Sequence, residues 1–212
     1  VVTKTGVGLK LASALLDLSG GMLLPTMFFT MITSIILGMG VPTTANYVIT
    51  STIAAPALVQ MGVPVLAAHM FVFYFGIIAD VTPPVALAAF AGSAISGGNP
   101  LKTGINASKL AIAAFIIPYI FVLSPVILMI DATPMGLITV LVTSVIGMIG
   151  LSGAMIGCLV KPLNGFERVM LFVGGLLMIQ PGLVTDIVGF LLLAFVLFLQ
   201  QKRGKAEASS LG

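Results

Sequence analysis

Residues 22–60 contain no charged side chain, yet the run is cut near its middle by Gly38, Met39, Gly40, Val41 and Pro42. Glycine tolerates backbone conformations that other residues resist and proline lacks an N–H, so a helix entering this segment is not expected to leave it as the same helix. The two arms, about 17 residues each, reach only ~25 Å at ~1.5 Å per residue, short of a ~30 Å hydrocarbon core. They read as two short crossings or as a re-entrant helical hairpin, and either way both ends emerge on one side. A second apolar run, 65–97, is interrupted in the same manner at ADVTPPVA, residues 79–86. It reads as a broken spanning helix.

Composition agrees with a bilayer as solvent. Of the 212 residues 59% are hydrophobic and 7% charged, and the mean hydropathy is +1.24, which excludes a water-soluble fold. Disorder, collagen and a disulfide scaffold are excluded too, since apolar runs dominate, glycine has no triplet period and Cys158 has no intrachain partner. A net charge of +3 would suggest nucleic acid in a soluble protein. Here Lys and Arg sit in short clusters between apolar runs, a topology signal rather than a nucleic-acid surface. No initiator Met and no signal-peptide pattern begins the chain, so it reads as the C-terminal part of a longer one.

The expected fold is an all-α integral membrane protein. Residues 1–21 carry Lys10 and Asp17 in a run too short to span, and read as an interfacial amphipathic helix. The hairpin follows at 22–60 and the broken helix at 65–97, closed by the polar segment 97–109. An ordinary span at 110–130 is kinked at Pro118 and Pro125. Residues 131–200 form an additional membrane region: a span at 136–160, a basic loop with Lys161 and Arg168, and a final stretch at 169–199 broken at Pro181-Gly182. Residues 201–212 read as a disordered cytoplasmic tail. With Lys102 and Lys109 in the cytoplasm, Asp131 falls outside and Lys161 and Arg168 return inside. Lys202, Arg203 and Lys205 join them only if 169–199 is a hairpin, which is therefore the favoured reading.

Unwound backbone inside hydrocarbon leaves polar groups without partners at several kcal/mol each, so it survives only when buried in protein or lining a wet cavity. Freed carbonyls and helix C-termini suit a small cation; half-helix N-termini suit an anion. Thr43, Thr44, Thr82 and Asn46 add neutral ligands at both interruptions. Asp80 is the one acid in the two broken runs and fits three roles: cation ligand or proton carrier, cap of a helix starting near Thr82-Pro83-Pro84, or interfacial group. Asp186, in PGLVTD, fits the same roles, and a structural one as cap of the second arm of the final hairpin is favoured. His69 is the sole histidine, which rules out a multi-histidine metal centre within this chain. Ser93 and Ser96 lack a nearby base, so intramembrane hydrolysis is poorly supported. Ser108 enters only as the third residue of an Asn106-Ala107-Ser108 sequon, which this topology places in the cytoplasm.

The stretch LGMGVPTTANYVITSTIAAPALVQMGVPVLAAHMFVFYFGIIADVTPPVALAAFAGSAISG resembles the C-terminal half of the large membrane subunit of tripartite ATP-independent periplasmic (TRAP) transporters, in the fused form that works with TAXI-type binding proteins. The likeness covers roughly residues 3 to 130, and 131–200 looks like the extra C-terminal region of some fused versions. The resemblance implies two inverted repeats, each with a re-entrant hairpin and a discontinuous helix, this chain holding the second. It implies a cation site, usually for Na⁺, built by the hairpin tip and the broken helix: Gly38, Met39, Gly40, Pro42, Thr43, Asp80, Thr82 and Pro83. Thr44, Asn46 and Pro84 would face the substrate beside it. Many members have an uncharged residue where Asp80 stands, so a proton could replace or accompany Na⁺. The implied partners are a periplasmic TAXI-type binding protein, the upstream repeat and small membrane subunit in the same full-length chain, and the lipid of a bacterial or archaeal inner membrane.

The expected function is thus part of a cation-coupled symport permease importing small organic anions, with an elevator-like movement and no cofactor beyond the coupling ion. A non-transporting membrane scaffold, its small-residue runs serving as helix-packing surfaces, is the alternative.

Overall fold

The computed structural model describes residues 7–210, with side chains described from Lys10 to Lys202. The remaining terminal residues, and the side chains of Arg203 and Lys205, lie outside that range. The chain is all-helical, and among the described residues the one β-type pairing is an isolated bridge between Cys158 and Pro162. It divides into two units, residues 1–130 and 131–212.

In the first unit, α1 (Val7–Leu18) precedes the hairpin arms α2 (Leu23–Gly38) and α3 (Thr43–Ile53), with α4 (Ala55–Gln60) continuing the second arm after a break at Ala54. Pro56 supplies no N–H there, which ends the α3 ladder. Next come α5 (Val65–Ile78), a 3-10 turn (Ala79–Val81), α6 (Leu87–Ser96), α7 (Pro100–Leu110) and α8 (Ile112–Leu123). Helix α5 is the hub, packing against α2, α3, α4 and α8. Its Phe71 and Phe75 are fully buried and stack edge-on to each other at 4.8 Å and to Tyr119 at 5.4 and 5.9 Å. The Tyr119 hydroxyl in turn donates to Met31 Sδ at 3.5 Å.

The polar segment 97–109 that closes the broken run is largely helical: Asn99 accepts the Lys102 N–H at 3.0 Å as an N-cap, Pro100 opens the helix, and α7 follows. Two expectations are corrected here. The span expected over 110–130 stops at Leu123, where Pro125 begins a 3-10 turn; α7 and α8 instead form a pair bent by 41° that is long and apolar enough to cross a membrane as one broken span. The helix expected to begin at Thr82-Pro83-Pro84 begins at Leu87, so Asp80 caps nothing.

In the second unit, α9 (Pro134–Ile156), α10 (Gly165–Ile179) and α11 (Leu183–Ser210) pack sequentially. Both α9 and the segment Leu183–Lys202 of α11 are long and apolar enough to span. The tail read as disordered continues α11 to Ser210, because Gln, Lys, Arg, Ala and Glu dominate 200–208 and all favour helix. Asp186 lies in the first turn of α11, where a negative charge suits the helix dipole, but its Oδ1 is buried without a partner and makes no cap bond.

The loop between α9 and α10 is held by side chains that imitate backbone. Gln200, 2% exposed, accepts the N–H groups of Val160 and Lys161 at 3.2 and 3.3 Å and donates to the Lys161 carbonyl at 3.1 Å. Arg168 donates to the terminal α9 carbonyls of Ala154 and Met155, and Asn164 and Glu167 form a capping box that opens α10. The helices themselves meet backbone to backbone: a Cβ on Gly175 would lie 2.7 Å from the Gly147 carbonyl oxygen and 3.0 Å from the Leu151 nitrogen. Gly175→Ala is therefore expected to destabilise the complete protein by about 1–3 kcal/mol, since the obstructing atoms are main chain. Gly165→Ala, which meets nothing within 4 Å, is expected to leave the detergent-solubilised melting midpoint unchanged.

Candidate functional site

Helix α2 ends at Gly38 because Met39 turns extended and Gly40 takes φ +70°, a left-handed conformation that a side chain disfavours. Val41 N–H returns to the Gly38 carbonyl at 3.4 Å, and Pro42 precedes the first turn of α3. Gly40, Pro42, Thr43 and Thr44 are exposed, while Met39 is half-buried. Asn46 differs. It is 3% exposed, and its Oδ1 has no hydrogen-bond partner.

The second interruption follows α5. Pro83 and Pro84 have no N–H groups to give to the carbonyls of Ala79 and Asp80, as residues in a continuing helix would. Ala79 O instead takes the Thr82 N–H at 3.3 Å, Ile78 O takes the Thr82 hydroxyl at 2.8 Å, and Val81 O takes the Ser108 hydroxyl at 3.2 Å. Among the described residues nothing donates to the Asp80 carbonyl, and no cation or donor pairs with its carboxylate. Asp80, Thr82 and Pro83 are half-buried; Pro84 is exposed.

The helices that lead into the two interruptions meet through glycine. A Cβ on Gly38 would collide with the Gly76 carbonyl oxygen and lie 2.8 Å from Gly76 Cα and 2.9 Å from Asn46 Nδ2. A Cβ on Gly76 would lie 2.5 Å from Asn46 Oδ1. Helix α2 thus meets α5 one turn before Asp80, with the Asn46 carboxamide inserted between, and also packs on the 79–81 turn. Of the expected residues, Gly38 and Asn46 lie at this junction and the 80–83 turn borders it. Gly40, Thr43 and Thr44 occupy the exposed face of the tip.

The oxygen-bearing side chains at and beside this junction are the Asn46 carboxamide, the Asp80 carboxylate and the Thr82 hydroxyl, with the Asp80 carbonyl next to them in the chain. Hard oxygen donors of this sort suit a hard cation rather than a thiolate- or imidazole-seeking metal. His69 stands apart, its Nδ1 2.9 Å from the Tyr47 hydroxyl, tying α5 to α3.

Sequence reasoning missed Gly76, Gly104 and Ser108. The first is a lone glycine in a run of bulky residues, a signal of close backbone approach. The other two are small residues one helical turn apart on α7, a helix that reading 97–109 only as a polar closing segment did not bring out. The contact at Gly76 makes a double-substitution cycle informative. Gly76→Ala alone is expected to cost about 1–3 kcal/mol by overpacking, and Asn46→Ala in the same chain to recover part of that loss. Chemical denaturation of the complete protein in detergent reads the coupling; strict additivity would contradict the contact.

The family described as tripartite ATP-independent periplasmic transporter, DctM component, matches residues 1–136, more than half of the chain. No curated protein and no solved structure gives a significant match. The matched region holds both interruptions and every residue of the junction they form. The chain belongs to the DctM component family of TRAP secondary transporters, an integral membrane family.

Proposed function

We propose that this chain holds, in residues 22–130, the second transport repeat of a cation-coupled importer of small organic anions, with Na⁺ or H⁺ as the coupling ion. Its substrate would arrive on a TAXI-type periplasmic binding protein, and an upstream repeat and small membrane subunit in the same full-length chain would complete the inner-membrane permease. One observation supports this reading above the rest: oxygens of Asn46 and Asp80 without partners among the described residues, beside the place where the end of α2 packs on the last turn of α5, Gly38 against Gly76.

Such oxygens suit weak, reversible ion binding. A cation held by Asp80, Thr82 and Asn46 would fasten the hairpin arm to the end of α5. With the tip so fixed, the exposed N–H groups opening α3 and the hydroxyl of Thr44 face an organic anion, a polarity that a helix N-terminus favours. Coupling is then a population shift: the ion favours the conformation that binds the anion, and the anion must favour ion binding equally. Movement of the repeat as an elevator would carry both.

The test is a titration of the complete protein in detergent with NaCl against choline chloride, and separately with pH, following the melting midpoint. Asp80→Asn and Thr82→Val are each expected to raise the half-saturating cation concentration about tenfold, the loss of one charged or neutral ligand interaction of about 1.4 kcal/mol. Ion-dependent uptake of a panel of labelled organic acids, with the binding protein supplied, should fall in parallel. Ion dependence unchanged in both variants overturns the site.

A further inference from the structure

The second interruption rests on a helix to which no role has been given. On α7, Gly104 and Ser108 lie one turn apart and face the break. The Ser108 hydroxyl is 3.2 Å from the Val81 carbonyl oxygen, 27 residues earlier, and 3.0 Å from the Gly104 carbonyl of its own helix. It has one proton for two acceptors. Gly104 is buried, and a Cβ there would lie 3.2 Å from Pro83 Cγ, 3.3 Å from Ala86 Cβ and 3.4 Å from Phe90 Cε1. A methyl at 104 would press on all three, so the glycine eases the close approach of α7 to the broken segment.

That backbone needs support. Ala86, fully buried, is left-handed at φ +37° and ψ 46°, a conformation that costs a non-glycine residue about 1–2 kcal/mol. Residues in such conformations persist only where their surroundings over-determine them. The Ala86 N–H bonds to the Thr82 carbonyl at 3.1 Å on one side, and Gly104 approaches its methyl on the other. Val81, whose carbonyl Ser108 holds, stands directly between Asp80 and Thr82.

We propose that Ser108 is a positioning residue for the cation: by holding the Val81 carbonyl against α7 it fixes the turn that aims the oxygens of Asp80 and Thr82. The inference rests on the cation site proposed above and extends it to a helix outside both interruptions. Because the same hydroxyl can donate to the Gly104 carbonyl instead, the support can be released without stranding its proton. An ion that must be bound and let go needs a turn held in that reversible way.

The experiment uses the complete protein in detergent, titrated with NaCl against choline chloride and with pH, as for the site itself. Ser108→Ala is expected to raise the half-saturating cation concentration about fivefold, the worth of one hydrogen bond, while the melting midpoint at saturating cation stays near that of the unsubstituted protein. Ser108→Thr keeps the hydroxyl and is expected to restore the cation dependence. An equal fall in melting midpoint at every cation concentration, with no change in half-saturation, means a purely structural role and overturns the proposal. So does a shift in Thr82→Val or Asp80→Asn with none in Ser108→Ala, which leaves the site standing. A shift in Ser108→Ala with none in those two variants overturns the site and this proposal with it, since Ser108 would then have no cation ligands to aim.

Discussion

An amide group in hydrocarbon has no water to fall back on, and the fold is organised around where each interrupted helix finds replacement partners. At the hairpin tip the replacements are local: Met39 N–H returns to Ile36 and Val41 N–H to Gly38. At the second interruption they come from a hydroxyl on the same turn and another on α7, far along the chain. In the other unit, Gln200 and Arg168 perform the same task for the 157–163 loop and the end of α9. One constraint therefore explains polar side chains that would otherwise look misplaced in an apolar sequence. It also singles out the Asp80 carbonyl, to which nothing donates among the described residues.

Lipid tails are as apolar as leucine, so helices do not associate in a bilayer by expelling water; they associate by close packing. Both units use glycine for this. Gly38 and Gly76 bring α2 onto α5, Gly147 and Gly175 bring α9 onto α10, and a Cβ on Gly189 would lie 2.7 Å from the Gly174 carbonyl of α10. Helix α2 adds Thr26, Thr30 and Ser34, buried at four-residue intervals on the stripe that ends in Gly38. Thr26 turns its hydroxyl back onto the carbonyl of Met22, the N-cap of this helix, and Ser34 onto that of Thr30, which lets polar residues serve as small ones.

How far the sequence was legible depends on whether a feature is written in neighbouring residues. Gly38 to Pro42 and Thr82 to Pro84 interrupt their helices by local chemistry, and both interruptions could be read directly. Asn99-Pro100 was equally local, a cap followed by a first-turn proline, but 97–109 was read only as a polar segment and its helix went unrecognised. That omission also hid Gly104 and Ser108, whose meaning depends on what α7 faces. Asn46 was legible as polar but not as buried: its place between two glycines is set by the crossing of α2 and α5, which no local pattern records. The tail beyond Gln200 was misread because its low hydrophobicity outweighed good helix propensity.

The burial of Asn46 gives the proposed coupling a physical basis. A buried carbonyl oxygen without a donor costs about 1–3 kcal/mol. Packing at Gly38 and Gly76 must offset that cost to hold the carboxamide in place, and a cation that meets the oxygen recovers it. On the proposed reading the ion therefore interacts differently with a docked hairpin arm and a displaced one, and that difference is what a ligand needs to shift a conformational equilibrium. A fully satisfied asparagine would gain little from an ion and would transmit little. An exposed one, solvated whether or not the tip were docked, would not discriminate between the two arrangements.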